Sequence, residues 1–156
     1  MNQCLRILLG VLLWLGIGST AGNGAATKAE QEIRTLEQQM NDAYAKNDLQ
    51  TYFSYYAQDF TQWLPEGRTD LERYKRQWQA YVSAGNSVQA AEVRELLLRV
   101  TPSEDAGVAS YILYVKTKGP DGKITEEESQ ETDVWFKRDG AWKVVALHFA
   151  PLAKKQ

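Results

Sequence analysis

The stretch ETDVWFKRDGAWKVVALHFAP, Glu131 to Pro151, constrains the fold more than any other part of the chain. It reads as two long strands joined at Asp139-Gly140, because a two-residue hairpin loop of matching twist needs positive φ, which glycine tolerates. The flanks are β-branched and aromatic: Val134, Trp135 and Phe136 on one side, Trp142, Val144 and Val145 on the other. Both strands carry apolar groups on both faces, whereas a strand with one wet face alternates. The hairpin is therefore expected to be covered twice, by the domain's own helices on one side and by a second subunit on the other. Asp133 interrupts the apolar run. A carboxylate in such a place sits at an edge, is paired, or lines a cavity.

The opposite end of the chain reads as an address. MNQCLR supplies one positive charge, at Arg6, and ILLGVLLWLGI, Ile7 to Ile17, is an apolar run too short to span a bilayer comfortably. Ser19-Thr20-Ala21 fits a small-x-small cleavage site, and Ala25-Ala26 offers a later one. Residues 1–21 are read as a signal peptide, with cleavage as late as 26, residues 22–28 as a flexible leader and residues 29–152 as the domain. The other reading of the first segment is an uncleaved anchor. Cys4 precedes the apolar run, so no lipoprotein signal is present. The expected location is periplasmic or secreted, with no membrane attachment after cleavage. Cleavage also removes the only cysteine, and with it disulfide and thiol chemistry. Roughly 130 residues remain, enough for a single core. The net charge of −2 becomes more negative without Arg6, which gives no electrostatic footprint for nucleic acid.

Between these ends the pattern is helices first, then strands. Ile33, Leu36, Met40, Ala43 and Tyr44 recur at helical spacing over Lys28 to Lys46, and Asn47-Asp48 breaks the run. Asp48 caps a short second helix, LQTYFSYYA. DFTQWLP is a short strand ended by Pro65-Glu66-Gly67. Thr69 or Asp70 caps LERYKRQWQAYVSAG, stopped by Gly85. Three long strands follow, VQAAEVRELLLRV, GVASYILYVKTK and KITEEESQETDVWFKR, before the final AWKVVALHFA. Three helices with one strand among them, then a four-strand antiparallel meander, predict an α+β fold with helices over one face of a strongly curved sheet and a central pocket. No Gly-rich phosphate loop and no HxH, HExxH or CxxC spacing occurs, so no cofactor and no metal site is read.

This layout resembles the nuclear transport factor 2-like, or SnoaL-like, superfamily, the cystatin-like α+β cone. LEQQMNDAYAKNDLQTYFSYYAQDFTQWLPEG and the terminal hairpin carry the resemblance over essentially the whole mature chain. The hairpin is especially similar to the association (hub) domain of calcium/calmodulin-dependent kinase II. The resemblance implies the cone fold, and it implies activity only loosely, since the superfamily holds isomerases, dehydratases, cyclases, transport adaptors and assembly hubs. The isomerase comparison puts Leu64 at the general-base position, Met40 at the oxyanion tyrosine, and matches only the late-strand acid, Asp133. The dehydratase pattern wants pocket histidines, and this chain has a single one, His148. An isomerase- or lyase-type enzyme would thus rest on Asp133 alone.

Both comparisons put position 133 inside the cone, where an acid among apolar groups would have a raised pKa and could exchange a proton. Asp133 is the one catalytic candidate, and the plain alternative is a structural carboxylate. Tyr44, Tyr56, Trp63, Trp78 and Tyr114 are the expected aromatic wall of a small-molecule site, with Phe149 and Asp133 beside them. Strand parity groups Val145, Leu147 and Phe149 on the inner face, and Trp142, Val144, Ala146 and His148 on the outer. The acidic run Thr125 to Glu131 is read as an exposed strand start. Two functions follow. One is an exported small-molecule-binding protein with a deep cavity. The other is a non-catalytic homodimer or larger homo-oligomer with a filled cavity, joined through an outer patch of Tyr111, Leu113, Trp142 and Val144.

Overall fold

The computed structural model describes residues 25–153, so the signal-peptide reading lies outside the described residues. The element order is α1 (Lys28–Ala45), α2 (Leu49–Ser54), β1 (Tyr56–Leu64), β2 (Gly67–Asp70), α3 (Leu71–Ser83), β3 (Ser87–Val100), β4 (Ala106–Lys118), β5 (Ile124–Arg138) and β6 (Ala141–Pro151). The fold is α+β, with the helices packed on a six-stranded sheet of order β2-β1-β6-β5-β4-β3. Every neighbouring pair is antiparallel except β1 and β6, which run parallel. Helix α1 opens at Lys28, where the helical spacing read from sequence begins.

Local chemistry sets most boundaries. A capping box starts α1: the Glu30 amide donates to the Thr27 hydroxyl at 3.2 Å, and the Thr27 amide donates to Glu30 at 2.9 Å. Asn47, at φ +58°, ends that helix and exchanges two hydrogen bonds with the Val88 backbone, at 2.9 and 2.8 Å. Asp70 caps α3 by accepting from the Arg73 amide. The hairpin turn is the expected one, with Asp139 at φ +51° and Gly140 at φ +79°, the double positive-φ turn that suits the strand twist.

Two features correct the sequence reading. The segment after Pro65 is a short strand, β2, that folds back on β1. Four residues between a turn and a helix cap carry no period, so they read only as punctuation. The second correction concerns which side chains face inward. Asp133 pairs with Leu147 and Val134 with Ala146, but Trp135 pairs with Val144, so β6 carries one extra residue, Val145, in a bulge. The bulge reverses the alternation. Trp142 and Val144, expected outside, face the helices and are buried together with Leu147. Tyr111 and Leu113 are buried on the same inner face, so the predicted outer patch does not exist as such.

The inner face is laid out in rows across the strands. One runs Val100, Gly107, Trp135, Val144 and Tyr56; the next runs Leu98, Ala109, Asp133, Leu147, Gln62 and Thr69. Helix α1 crosses these rows. A Cβ placed at Gly107 would stand 2.6 Å from Ile33 Cδ1, so the missing side chain is what lets the helix approach. Between α2, α3 and β1 the space is occupied by rings: Tyr52, Phe53, Tyr56, Phe60 and Tyr74 pack with centroids 4.7 to 6.3 Å apart.

Candidate functional site

Three carboxyl groups converge inside the sheet's curve. Glu37 comes from α1, and Glu131 and Asp133 come from alternate positions of β5, hence one face. Glu37 and Asp133 are both 0 % exposed. Each has partners on one side only. Trp135 Nε1 donates to Glu37 Oε1 at 2.6 Å. The Tyr111 hydroxyl lies 2.9 Å from Asp133 Oδ2 and 3.4 Å from Glu131 Oε2. Ser129 Oγ donates to Glu131 Oε1 at 3.1 Å. The remaining oxygens, Glu37 Oε2 and Asp133 Oδ1, have no donor.

Electrostatics follow from that packing. Burial pushes the Glu131 carboxyl up to about 8, and the Asp133 charge adds to the rise, while Ser129 and Tyr111 oppose it. Burial raises Asp133 well above the usual carboxylate range, with Glu37 as the next cause. Glu37 is raised by burial as well; the Trp135 bond works against that, and the Glu131 charge adds to it. The two orphaned oxygens belong to groups that face one another and would compete as ions. A proton held between them supplies the missing donor. The phenols around the cluster, Tyr44, Tyr52, Tyr56, Tyr74 and Tyr111, are all raised by burial and stay neutral donors. Chemically the cluster can hold and release protons near neutral pH, or accept hydrogen bonds from a cationic group.

The expected site residues fall into two sets. Tyr44, Tyr56, Asp133 and Phe149 lie on the inner side, with Phe149 directly opposite Glu131 in the β5–β6 register. Trp78 joins them at the edge, its ring 4.9 Å from that of Tyr44. Trp63 and Tyr114 do not. Gln62 pairs with Leu147, so its neighbour Trp63 takes the outer face beside His148 and is 52 % exposed. Tyr114 pairs with Glu92 and Glu128 on that same outer face, under the Arg94 guanidinium at 4.4 Å.

Glu37 and Glu131 were missed from sequence, although each left a signal. Glu37 follows Ile33 by four residues and precedes Met40 by three, so it stands on the apolar stripe of α1. Glu131 precedes Asp133 by two, and so shares its face. The acidic run dips inward where Ser129 and Glu131 are buried, while Glu126 to Glu128 are exposed. Beside the cluster, between α1 and β3, lies a groove of about 570 Å³ lined by Arg34, Thr35, Glu37, Gln38, Val93 and Leu96 among others, and Asp133, Glu131 and Tyr111 are not part of its lining. The groove exists because β3 bulges between Arg94 and Leu97, with Glu95 at φ +55°.

A family model described as the calcium/calmodulin dependent protein kinase II association domain matches residues 29–153. Among solved structures, the association domain of calcium/calmodulin-dependent kinase II from C. elegans is similar at 24 % identity and TM-score 0.63, covering 77 % of this chain and 93 % of that one. The kinase II hub homology domain of Chlamydomonas reinhardtii is 21 % identical at TM-score 0.67, covering 81 % of this chain and 100 % of that one. A nuclear transport factor 2-like protein from Cytophaga hutchinsonii is 21 % identical at TM-score 0.66, covering 78 % and 97 %. At these identities the structures show a shared fold.

Proposed function

Since the chain belongs to the calcium/calmodulin-dependent protein kinase II association domain family, we propose that it is a self-associating module whose copies join through the outer face of the sheet. One observation carries the reading: the outer face is apolar where water should meet it. Leu97 is 51 % exposed, Phe136 39 % and Val108 38 %, and Val108 stands beside half-buried Val134 and Ala146 in one row across the strands. A contiguous apolar patch on a sheet is a protein interface or a liability. Small groups, Ser110 and Thr132, continue the surface in the next row and let a second sheet approach closely. The occupant is a second copy, because the matching family is one of association domains.

Sedimentation velocity of the chain produced from its full-length gene tests this. The expected mass is two or more chains, and Val134→Lys is expected to give a monomer of unchanged secondary structure. A monomeric parent at high concentration overturns the reading. Export of the module, with cleavage after Ala21 or as late as Ala26, belongs to the same proposal and rests on the sequence of residues 1–26. N-terminal sequencing of the product in its source checks it.

A second reading, small-molecule binding inside the curve of the sheet, is favoured by the two fully buried carboxylate oxygens that lack donors. An isomerase- or lyase-type role for Asp133 has less support. Leu64 and buried Met40 stand where the isomerase comparison puts its base and its oxyanion tyrosine.

A further inference from the structure

We propose that His148 makes the joining of copies depend on pH: copies hold together while its imidazole is neutral and separate when it is protonated. The inference deepens the self-association reading above and rests on it. His148 is the only histidine in the chain, and histidine is the side chain whose charge ordinarily changes between pH 5 and 8. Its place in the sheet is what gives that change an effect. One row of the outer face runs Leu97, Ser110, Thr132, His148 and Trp63, across β3, β4, β5, β6 and β1. The row ends in Trp63, 52 % exposed, and Leu97, 51 % exposed, and His148 between them is exposed as well. The row beside it carries the apolar group of Val108, Val134 and Ala146. Tryptophan is the commonest anchor of a protein interface, and the groups around an anchor are the ones that lose their water. A second copy seated on this face therefore takes His148 out of solvent.

Nothing around His148 answers a positive charge. Its neighbours across the strands are Trp63 on β1 and Thr132 on β5, and Ala146 and Ala150 share its face on β6. The Thr132 hydroxyl lies 3.2 Å from that of Ser110. The charged residues of these rows stand at the ends: Arg68 and Asp70 on β2, Arg94 and Arg99 on β3. Of the acids, Asp70 is engaged in the cap of α3, and Glu92 and Glu128 are held by Arg94 at 2.7 and 2.8 Å. Among the described residues no ion pair includes His148. The helices and the three buried acids lie on the other side of the sheet. In a self-complementary contact each copy meets only what the other presents. His148 then meets apolar groups, hydroxyls, an amide or a second imidazole. A neutral imidazole can be buried among these with a hydrogen bond, whereas an imidazolium would be a buried charge without a partner. Joined copies thus bind fewer protons than free ones, and association weakens as pH falls.

Sedimentation velocity of the chain produced from its full-length gene, over a dilution series at pH 7.5 and pH 5.5 and at one ionic strength, tests this. The parent is expected to associate about tenfold or more weakly at pH 5.5. His148→Gln keeps a neutral polar group and should associate equally at both values. His148→Lys carries a permanent charge and should be as weak at pH 7.5 as the parent is at pH 5.5. His148 is exposed in the single copy, so neither substitution threatens the fold. A parent that associates equally at both values, or more tightly at pH 5.5, overturns the switch and leaves self-association standing. A pH dependence that survives in His148→Gln belongs to other groups and overturns the role of His148. His148→Lys associating like the parent at pH 7.5 puts the residue outside the contact, with the same consequence. If the parent is monomeric at both values even at high concentration, self-association falls and the switch falls with it.

Discussion

At the scale of single residues, the buried carboxyls make stability depend on pH in an unusual direction. Glu131 ionises near the ordinary glutamate value of 4.5 in the unfolded chain and at about 8 in the folded one. Below the lower value both states are protonated and the group costs nothing. Between the two values the unfolded chain gains by ionising while the folded chain does not, so stability is lost as pH rises towards 8. A tenfold difference in proton affinity between the two states is worth about 1.4 kcal/mol. Urea midpoints should therefore fall from pH 5.5 to pH 8, and Glu131→Gln should flatten that slope, since an amide mimics the protonated acid and cannot ionise. A midpoint that rises over the same range would show that the cluster is ionised in the folded state. Trp135 tests the other half of the arrangement. Trp135→Phe removes the donor to Glu37 Oε1 and leaves a void in a position that is 0 % exposed. It should cost about 3 kcal/mol or more, by unsatisfied acceptor and cavity together. At this scale the sequence was half legible. Asp133 announced itself by interrupting an apolar run. Glu37 was hidden because a glutamate on a helix is ordinarily solvated, and only its place on the stripe marks it as different.

At the scale of elements, the local signals and the antiparallel meander of the last four strands were read correctly, and the pairing that closes the sheet between β1 and β6 was not. Asp139-Gly140 names its turn by itself, and Thr27 with Glu30 names its cap. The parallel pairing of β1 with β6 joins residues 85 to 88 positions apart, and nothing in either segment specifies its partner. The bulge at Val145 is equally silent, because one extra residue in a run of apolar ones leaves no mark on composition. Its consequence was large: every inward and outward assignment before it in β6 reversed. The packing of α1 on the sheet offers a test of element-scale energetics. Gly107→Ala puts a methyl against Ile33 Cδ1 and should cost about 1–3 kcal/mol by overpacking. Ile33→Val removes that Cδ1 and alone should cost about 0.5–1.5 kcal/mol. Combined, the two should be less destabilising than their sum, a coupling that a double-mutant cycle in urea reads directly. Strict additivity would mean that α1 shifts to admit the methyl and that Gly107 does not set its approach.

At the scale of the molecule, the curved sheet presents two different surfaces, and each has its own consequence. The inner one is closed over acids and rings; the outer one leaves Leu97, Val108 and Phe136 partly in water. The sequence showed that two faces were apolar, and the resemblance supplied the cone, but the allocation of residues between the faces needed the bulge. If the outer face joins copies, folding and association are one equilibrium, and apparent stability must rise with chain concentration. For a dimer, each tenfold rise in concentration is worth about 1.4 kcal/mol. Tm should climb steadily over a concentration series, and Val108→Lys, which places a charge amid that apolar row, should abolish the climb. Its dilute-limit Tm should stay near the parent's, because Val108 is already 38 % exposed and contributes little to the core. The inner acids should not respond, since Glu131 and Asp133 point to the opposite side of β5 from Val134. The pH slope from Glu131 would then survive in the monomeric variant, whereas its loss would show that the cluster forms only in the assembled protein.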